Sequence, residues 1–318
     1  MRHMLWFAKR IGVSLALVWA VATIVFLAIH LVPGDPAELL LSQGGSSPDA
    51  AQVKELRARL GLDQPIFTQY IDTLLKFAKG DLGKSLQDGA PVTGQIALRL
   101  PRTLELIGAA SLFAVLIGIP LGTLAALRRG SILDRAITGT CGVILSIPVF
   151  VIGTFCVMIF AQLLHLVPAG GYVSFSENPI QHFIVLLMPA FSIGLGLAAT
   201  IVRMTRVSVL DVLMRDYIRT ARAKGLKSNF ILRRHILRNA MLPVVTILAL
   251  HLGNLLGGTV LVEYVFNWPG LSGYLVSAVN ARDYPEVVGC ILVISVLFVC
   301  LNIVADVLYG LLDPRIRT

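Results

Sequence analysis

The sequence predicts an all-α membrane protein with six transmembrane helices and an external helical segment after the first of them. Three observations carry that expectation. Of 318 residues, 56% are hydrophobic and only 14% charged, with a mean hydropathy of +0.80, whereas a soluble chain of this length needs a larger polar surface. Apolar runs of about 20 residues, long enough to cross a bilayer, recur along the chain. The Lys and Arg residues gather in alternate connections between those runs.

The six spans are read at about 11–31, 104–127, 136–165, 183–205, 243–262 and 287–309. The first follows Arg2, Lys9 and Arg10, but it is too long for a signal-peptide core and no small-x-small cleavage site follows, so it is read as a retained anchor. The external segment after it holds two helices. Ser47-Pro48-Asp49 has a cap, a proline at the first helical position and an early acid. Gly61 stops that helix and Leu62 supplies the apolar contact beyond it, and a second helix runs from Pro65 to near Gly80. These helices form a lid, receive an extracytoplasmic partner, or pack on the bundle's outer end.

The third span is long enough to tilt or to project beyond the bilayer. Pro120, Pro148 and Pro189 fall within spans, where neighbours or water must satisfy the freed backbone groups. Gly118–Gly122 and Gly253–Gly257 have the small-xxx-small spacing that lets helices approach closely. His251 and Asn254 share one face of the fifth span, and Asn302 and Asp306 lie in the sixth. An intramembrane polar pair such as His251 and Asn254 either lines a translocation path or bonds helix to helix.

Charge sets the orientation. With the N-terminus inside, the segments 1–10, 128–135, 203–238 and 310–318 hold 18 of the 27 Lys and Arg residues against four acids. Segment 34–102 carries eight basic and eight acidic residues, and loop 166–182 has no Lys or Arg. Both termini are therefore placed in the cytosol. The net charge of +9 flanks apolar spans without interleaved aromatic motifs, which excludes a nucleic-acid partner. Cys141, Cys156, Cys290 and Cys300 all lie in apolar runs without metal spacing, so they read as small hydrophobes.

No catalytic site is expected. Gly83-Lys84-Ser85 looks like the end of a phosphate loop, but position 78 is Ala where that loop needs Gly, and no buried strand precedes it. H-E-x-x-H, G-x-S-x-G and an intramembrane aspartate pair are absent. No cofactor or metal is expected on this chain. Uphill transport would then draw on ATP hydrolysed by a partner or on an ion gradient.

The loop 203–243 is the most informative segment. Helical spacing continues on both sides of Gly225, with Lys224 before it as a helix stop and Ser228 after it as a cap for a second short helix. An elbow of this kind suits docking onto a soluble cytosolic partner.

Its residues carry a family resemblance. Asp216-Tyr-Ile-Arg-Thr-Ala-Arg-Ala-Lys-Gly225-Leu followed by His235-Ile-Leu-Arg-Asn-Ala-Met-Leu-Pro243 resembles the EAA loop of bacterial ABC importer permeases, in the dipeptide, oligopeptide and nickel branch. The broader Glu-Ala-Ala falls on Arg219, Thr220 and Ala221, so only its last Ala and Gly225 match, as is usual in that branch. Val32-Pro-Gly-Asp-Pro36, Leu60-Gly-Leu-Asp-Gln-Pro65, Gly80-Asp-Leu-Gly83, Arg99-Leu-Pro-Arg-Thr-Leu-Glu105, Trp268-Pro-Gly-Leu271, Arg282-Asp-Tyr-Pro285 and Asp313-Pro-Arg-Ile-Arg317 resemble landmarks of its first, B-type permease subunit.

The resemblance implies an anchor helix and external segment over 1–95, and a five-helix type I importer core over 96–318 that includes the coupling loop. It implies a multi-pass protein of the bacterial cytoplasmic (inner) membrane, without an ATPase site of its own. Its partners would be a second permease, two ATP-binding subunits holding ATP-Mg, and an extracytoplasmic solute-binding protein. Tyr217, Thr220, Ala221, Ala223, Lys224, Gly225 and Leu226 would couple to the ATPases. Short peptides are the expected cargo, with nickel or glutathione as alternatives on the same architecture. An ion-coupled carrier would need midplane acids that this chain largely lacks.

Overall fold

The computed structural model describes residues 2–31, 49–60 and 63–312, with the side chains of 2–11, 28–31, 56, 59, 60, 254 and 305–312 outside that description. The proposed cap Ser47-Pro48, the stop at Gly61-Leu62 and the motifs Val32–Pro36 and Asp313–Arg317 lie outside the described residues. Among the described residues every named element is helical, and pairing of extended chain is limited to one bridge, Lys84 with Pro91.

The chain divides into two units. The first comprises Met1–Arg99 and Tyr274–Leu297. In it α1 (Arg2–Leu31) packs against α3 (Ile66–Ala78), where the Thr23 and Tyr70 hydroxyls lie 2.7 Å apart and the Phe26 and Tyr70 rings meet edge-on at 5.3 Å. α2 (Ala50–Leu60) starts one residue after Asp49, whose carboxylate accepts from the Ala51 N–H at 3.3 Å. The acid is thus the cap itself rather than a first-turn residue. α3 follows Pro65 and ends as expected, with Gly80 at φ +77° and the Gly80 and Asp81 amides closing back on Phe77 and Lys76.

The second unit comprises Leu100–Gly273 and Phe298–Thr318. Its helices are the larger part of α4 (Val92–Leu127), then α5 (Ile132–Ser146), α6 (Val149–Cys156), α7 (Pro179–Leu213), α8 (Asp216–Ala223), α9 (Ser228–Ile231) and α10 (Arg238–Val265). Most of α11 (Leu271–Asn280) and the first half of α12 (Tyr284–Leu312) belong to the first unit. α7 is the most enclosed of the candidate spans. The expected close approaches occur on it: a Cβ at Gly118 would lie 2.6 Å from Ile201, and one at Gly122 would lie 2.6 Å from the Val202 carbonyl oxygen. Only glycine fits there, so α4 and α7 pack nearly backbone to backbone. Of the second glycine pair, Gly253 abuts Phe298, but Gly257 faces open space and contributes no contact.

Three expectations need correction. The third span is not one helix: α5 and the run from α6 through a π-helical stretch (Val157–Leu163) are bent by 100°. Pro148 causes the break, because the residue before a proline is driven out of the helical region, and Ile147 sits at ψ 126°. The long loop is also shorter than 203–243, since α7 continues to Leu213 and α10 begins at Arg238. The stretch 263–286 contains α11, which was not expected.

Among the described residues four helices are long and apolar enough to cross a membrane alone, five if the bent pair counts as one span, and α1 adds the shorter apolar stretch Gly12–Leu27. Large apolar side chains stay exposed along these helices, among them Leu112, Leu116, Val143 and Leu187. At roughly 25 cal/mol per Å² of apolar surface, such a girdle would be heavily penalised in water and is neutral in lipid.

Candidate functional site

The elbow is built on a buried row. Ile218 and Ala221 of α8 pack with Ala126, Val209, Val212, Ile231, Ile236 and Ala240. Fully burying Ile218 is worth about 1.5–3 kcal/mol, enough to hold a helix of eight residues that could not stand alone. The Gly225 amide donates to Arg222 O at 2.9 Å and the Leu226 amide to Ala221 O at 3.3 Å, the paired closure of a helix C-terminus. That closure requires the left-handed backbone found at Gly225, φ +75°. The following helix starts at Ser228 with Lys227 before it and no side-chain cap, so Ser228 is a first-turn residue rather than the cap.

The predicted coupling residues therefore separate by face. Tyr217, Thr220, Ala223, Lys224, Gly225 and Leu226 are exposed, with apolar Met214 and Phe230 flanking them. Ala221 is buried and faces the helices beneath, so its part is to seat α8. Tyr217 also takes a 3.4 Å hydrogen bond from Asn239 Nδ2, which ties the outer face to α10. Exposed apolar groups on a rigid, basic elbow make a surface that a soluble partner can grip and move.

A second cluster lies near the other end of α4 and α7, and the sequence reading missed it. Glu263 is 1% exposed. Its carboxylate accepts from Thr103 Oγ1 at 2.7 Å and from the Gly273 N–H at 2.7 Å, and Thr103 Oγ1 accepts from the Leu271 N–H at 2.8 Å. A Cβ on Gly270 would collide with that carboxylate. Trp268 Nε1 donates to Arg102 O at 3.1 Å, and the Arg102 guanidinium sits 4.3 Å over the Tyr172 ring. His182, 1% exposed, places Nδ1 2.7 Å from Val173 O and Nε2 2.6 Å from Glu105. The landmarks Arg99–Glu105 and Trp268–Leu271 thus meet around one buried acid.

Asp134 and Arg206, counted above only as loop charges, form a two-pronged ion pair, Nε–Oδ1 2.6 Å and Nη2–Oδ2 2.8 Å. It fastens α5 to α7, the geometry in which Arg binds carboxylate best.

The false phosphate loop has its own explanation in the first unit. The Ser85 hydroxyl donates to Asp283 Oδ2 at 2.6 Å, and the Leu86 and Gln87 amides point at the same oxygen from 2.8 and 3.3 Å. The anion in this nest is the chain's own buried carboxylate. Asp283→Ala would take the acceptor from the Ser85 hydroxyl and the Leu86 amide, while the Gln87 amide keeps Ser85 Oγ at 3.1 Å, and should destabilise the segment by about 2–3 kcal/mol. Limited proteolysis should then cut faster within residues 80–91, and an unchanged cleavage rate would count against this anchoring.

His251 is half-buried on α10 and its side chain makes no hydrogen bond to another described residue, while the side chain of Asn254 lies outside the described residues. Among the described residues no group of three His, Cys, Asp or Glu is placed to hold a metal. The buried Cys141, Cys156 and Cys290 are unpaired.

Comparison with known proteins places this architecture. Residues 118–318 match the family described as binding-protein-dependent transport system inner membrane component, and residues 3–107 match the N-terminal part of the same kind of membrane component. The chain belongs to that family. Full-length relatives of this inner membrane component include the dipeptide transport system permease protein DppB of Escherichia coli (strain K12), 38% identical over 97% of both chains. The glutathione transport system permease protein GsiC of the same strain is 40% identical, again over 97% of both. In fold, a chain of the inward-facing MetNI methionine ABC transporter aligns with a TM-score of 0.55 at 19% identity, covering 69% of this chain and 96% of that one. This inner membrane component is therefore a multi-pass permease subunit of a binding-protein-dependent transport system.

Proposed function

We propose that this permease imports short peptides handed over by an extracytoplasmic solute-binding protein, pairing with a second, related permease to form the path. Two cytosolic ATPases drive it with ATP-Mg, gripping the elbow at Tyr217, Thr220, Ala223, Lys224, Gly225 and Leu226. The observation that carries this reading is the elbow: an exposed, glycine-closed helix end rigidly seated on the core, which passes a partner's motion on rather than absorbing it. The near full-length likeness to dipeptide and glutathione permeases supports peptide-like cargo. Glutathione, itself a short peptide, is the second reading.

In this proposal six helices span the bilayer, both termini lie in the cytosol, residues 1–95 form the anchor and external segment, and 96–318 form the core. His251 and Asn254 are its candidate path residues. The test is uptake of labelled dipeptide and of labelled glutathione into proteoliposomes that hold the chain with its co-purifying subunits and binding protein. Uptake should require ATP and survive collapse of the proton gradient. Uptake that persists without ATP and stops with the gradient would mean an ion-coupled carrier instead.

A further inference from the structure

A face of α3 beside the one that meets α1 is apolar and exposed. Phe67 is 75% exposed, Leu75 54% and Ile71 38%. Spaced four apart, they form one stripe along the helix. The remaining residues divide into two further sectors: Tyr70 turns toward α1, where it meets Thr23 and Phe26, while Thr68, Asp72 and Lys76 lie opposite Tyr70 and are exposed. A helix with one protein-facing, one apolar and one charged sector fits a boundary between oil and water.

Depth along α1 says where that boundary lies. At 1.5 Å per residue, Thr23 stands about 20 Å along the helix from Arg10, the last basic residue before the apolar run. The hydrocarbon layer is about 30 Å thick, and any tilt of α1 only reduces the distance travelled through it. The Tyr70–Thr23 contact therefore falls about 10 Å inside the far boundary. At roughly 100° per residue the stripe lies about a quarter turn from Tyr70, so with Tyr70 against α1 the stripe can turn into the bilayer while Gln69, Thr73 and Lys76, on the side opposite the stripe, turn toward the headgroups.

We propose that α3 is an interfacial helix, with Phe67, Ile71 and Leu75 seated among lipid acyl chains in the leaflet opposite the N-terminus. This differs from a lid standing clear of the membrane, and it rests on α1 crossing the bilayer.

The test uses nitroxide labels on single cysteines in the whole chain, in a Cys300→Ala background because Cys300 is the exposed thiol among the described cysteines. The protein is reconstituted into liposomes with the subunits that co-purify with it. Labels at Phe67→Cys and Leu75→Cys should collide with oxygen several-fold more than with a water-soluble nickel chelate, and a label at Lys76→Cys should show the reverse. Chelate access at 67 and 75 would place the stripe in water, and shielding from both reagents would mean that a protein partner covers it; either result overturns the proposal. A label at Leu15→Cys reports on α1 alone. Oxygen access there combined with failure at 67 and 75 rejects the seating of α3, whereas failure at 15 removes α1 as a span and the proposal with it.

Discussion

Gly225→Asp is expected to cut ATP-dependent uptake by about 5- to 150-fold, the range that follows from losing a coupling free energy of 1–3 kcal/mol, while the chain still inserts and folds. The expectation follows from the geometry at that residue. A Cβ at Gly225 meets nothing within 4 Å, so the core beneath is not disturbed. The backbone at φ +75°, however, is a conformation that costs a side-chain-bearing residue roughly 1 kcal/mol or more. Relaxing that strain opens the closure through Arg222 and Ala221 and swings Lys224 and Leu226. The substitution also sets a negative charge on an exposed surface rich in Arg and Lys. Uptake in proteoliposomes and recovery of ATP-binding subunits in co-purification should fall together, with the amount of chain in the membrane unchanged. Normal uptake by the variant would remove the elbow from the coupling role.

The second large effect is expected at Glu263. Glu263→Ala removes the buried carboxylate to which the Gly273 amide and the Thr103 hydroxyl donate. Removing a buried acceptor from two donors in this way costs about 1–3 kcal/mol for each donor. Glu263→Gln keeps one acceptor oxygen and the volume, and should lose only about 1–2 kcal/mol. Thermal unfolding of the detergent-purified protein, followed by size-exclusion chromatography after heating, ranks the three forms. An Ala variant as stable as the wild type would show that the knot around Trp268 holds without its acid.

Much of the fold was legible because a bilayer imposes simple rules on sequence. A span must be apolar over its whole length, and a helix end in water needs a stop or a cap. These rules found the apolar runs, the end of α3 at Gly80 and the elbow at Gly225 from neighbouring residues alone. The same local reading failed where the answer lay far along the chain. Pro148 was noted as a bend and it does break the span, but the 100° angle between the two pieces, both packed on α7, was not legible from the proline alone. Ala221 was placed on the partner's side because its motif is contiguous, yet helical phase turns it inward beside Ile218.

The sequence by itself determined the membrane class, the helical content and the position of the elbow, since hydropathy, charge asymmetry and glycine's access to left-handed backbone are properties of short windows. Only the tertiary structure decided which polar groups are partners. Thr103 and Glu263 are 160 residues apart, and Ser85 and Asp283 are 198 apart. A buried acid looks the same in a sequence whether it faces a pore, a metal or another segment's amides. What separates those fates is which donors lie within 3 Å, and packing sets that distance.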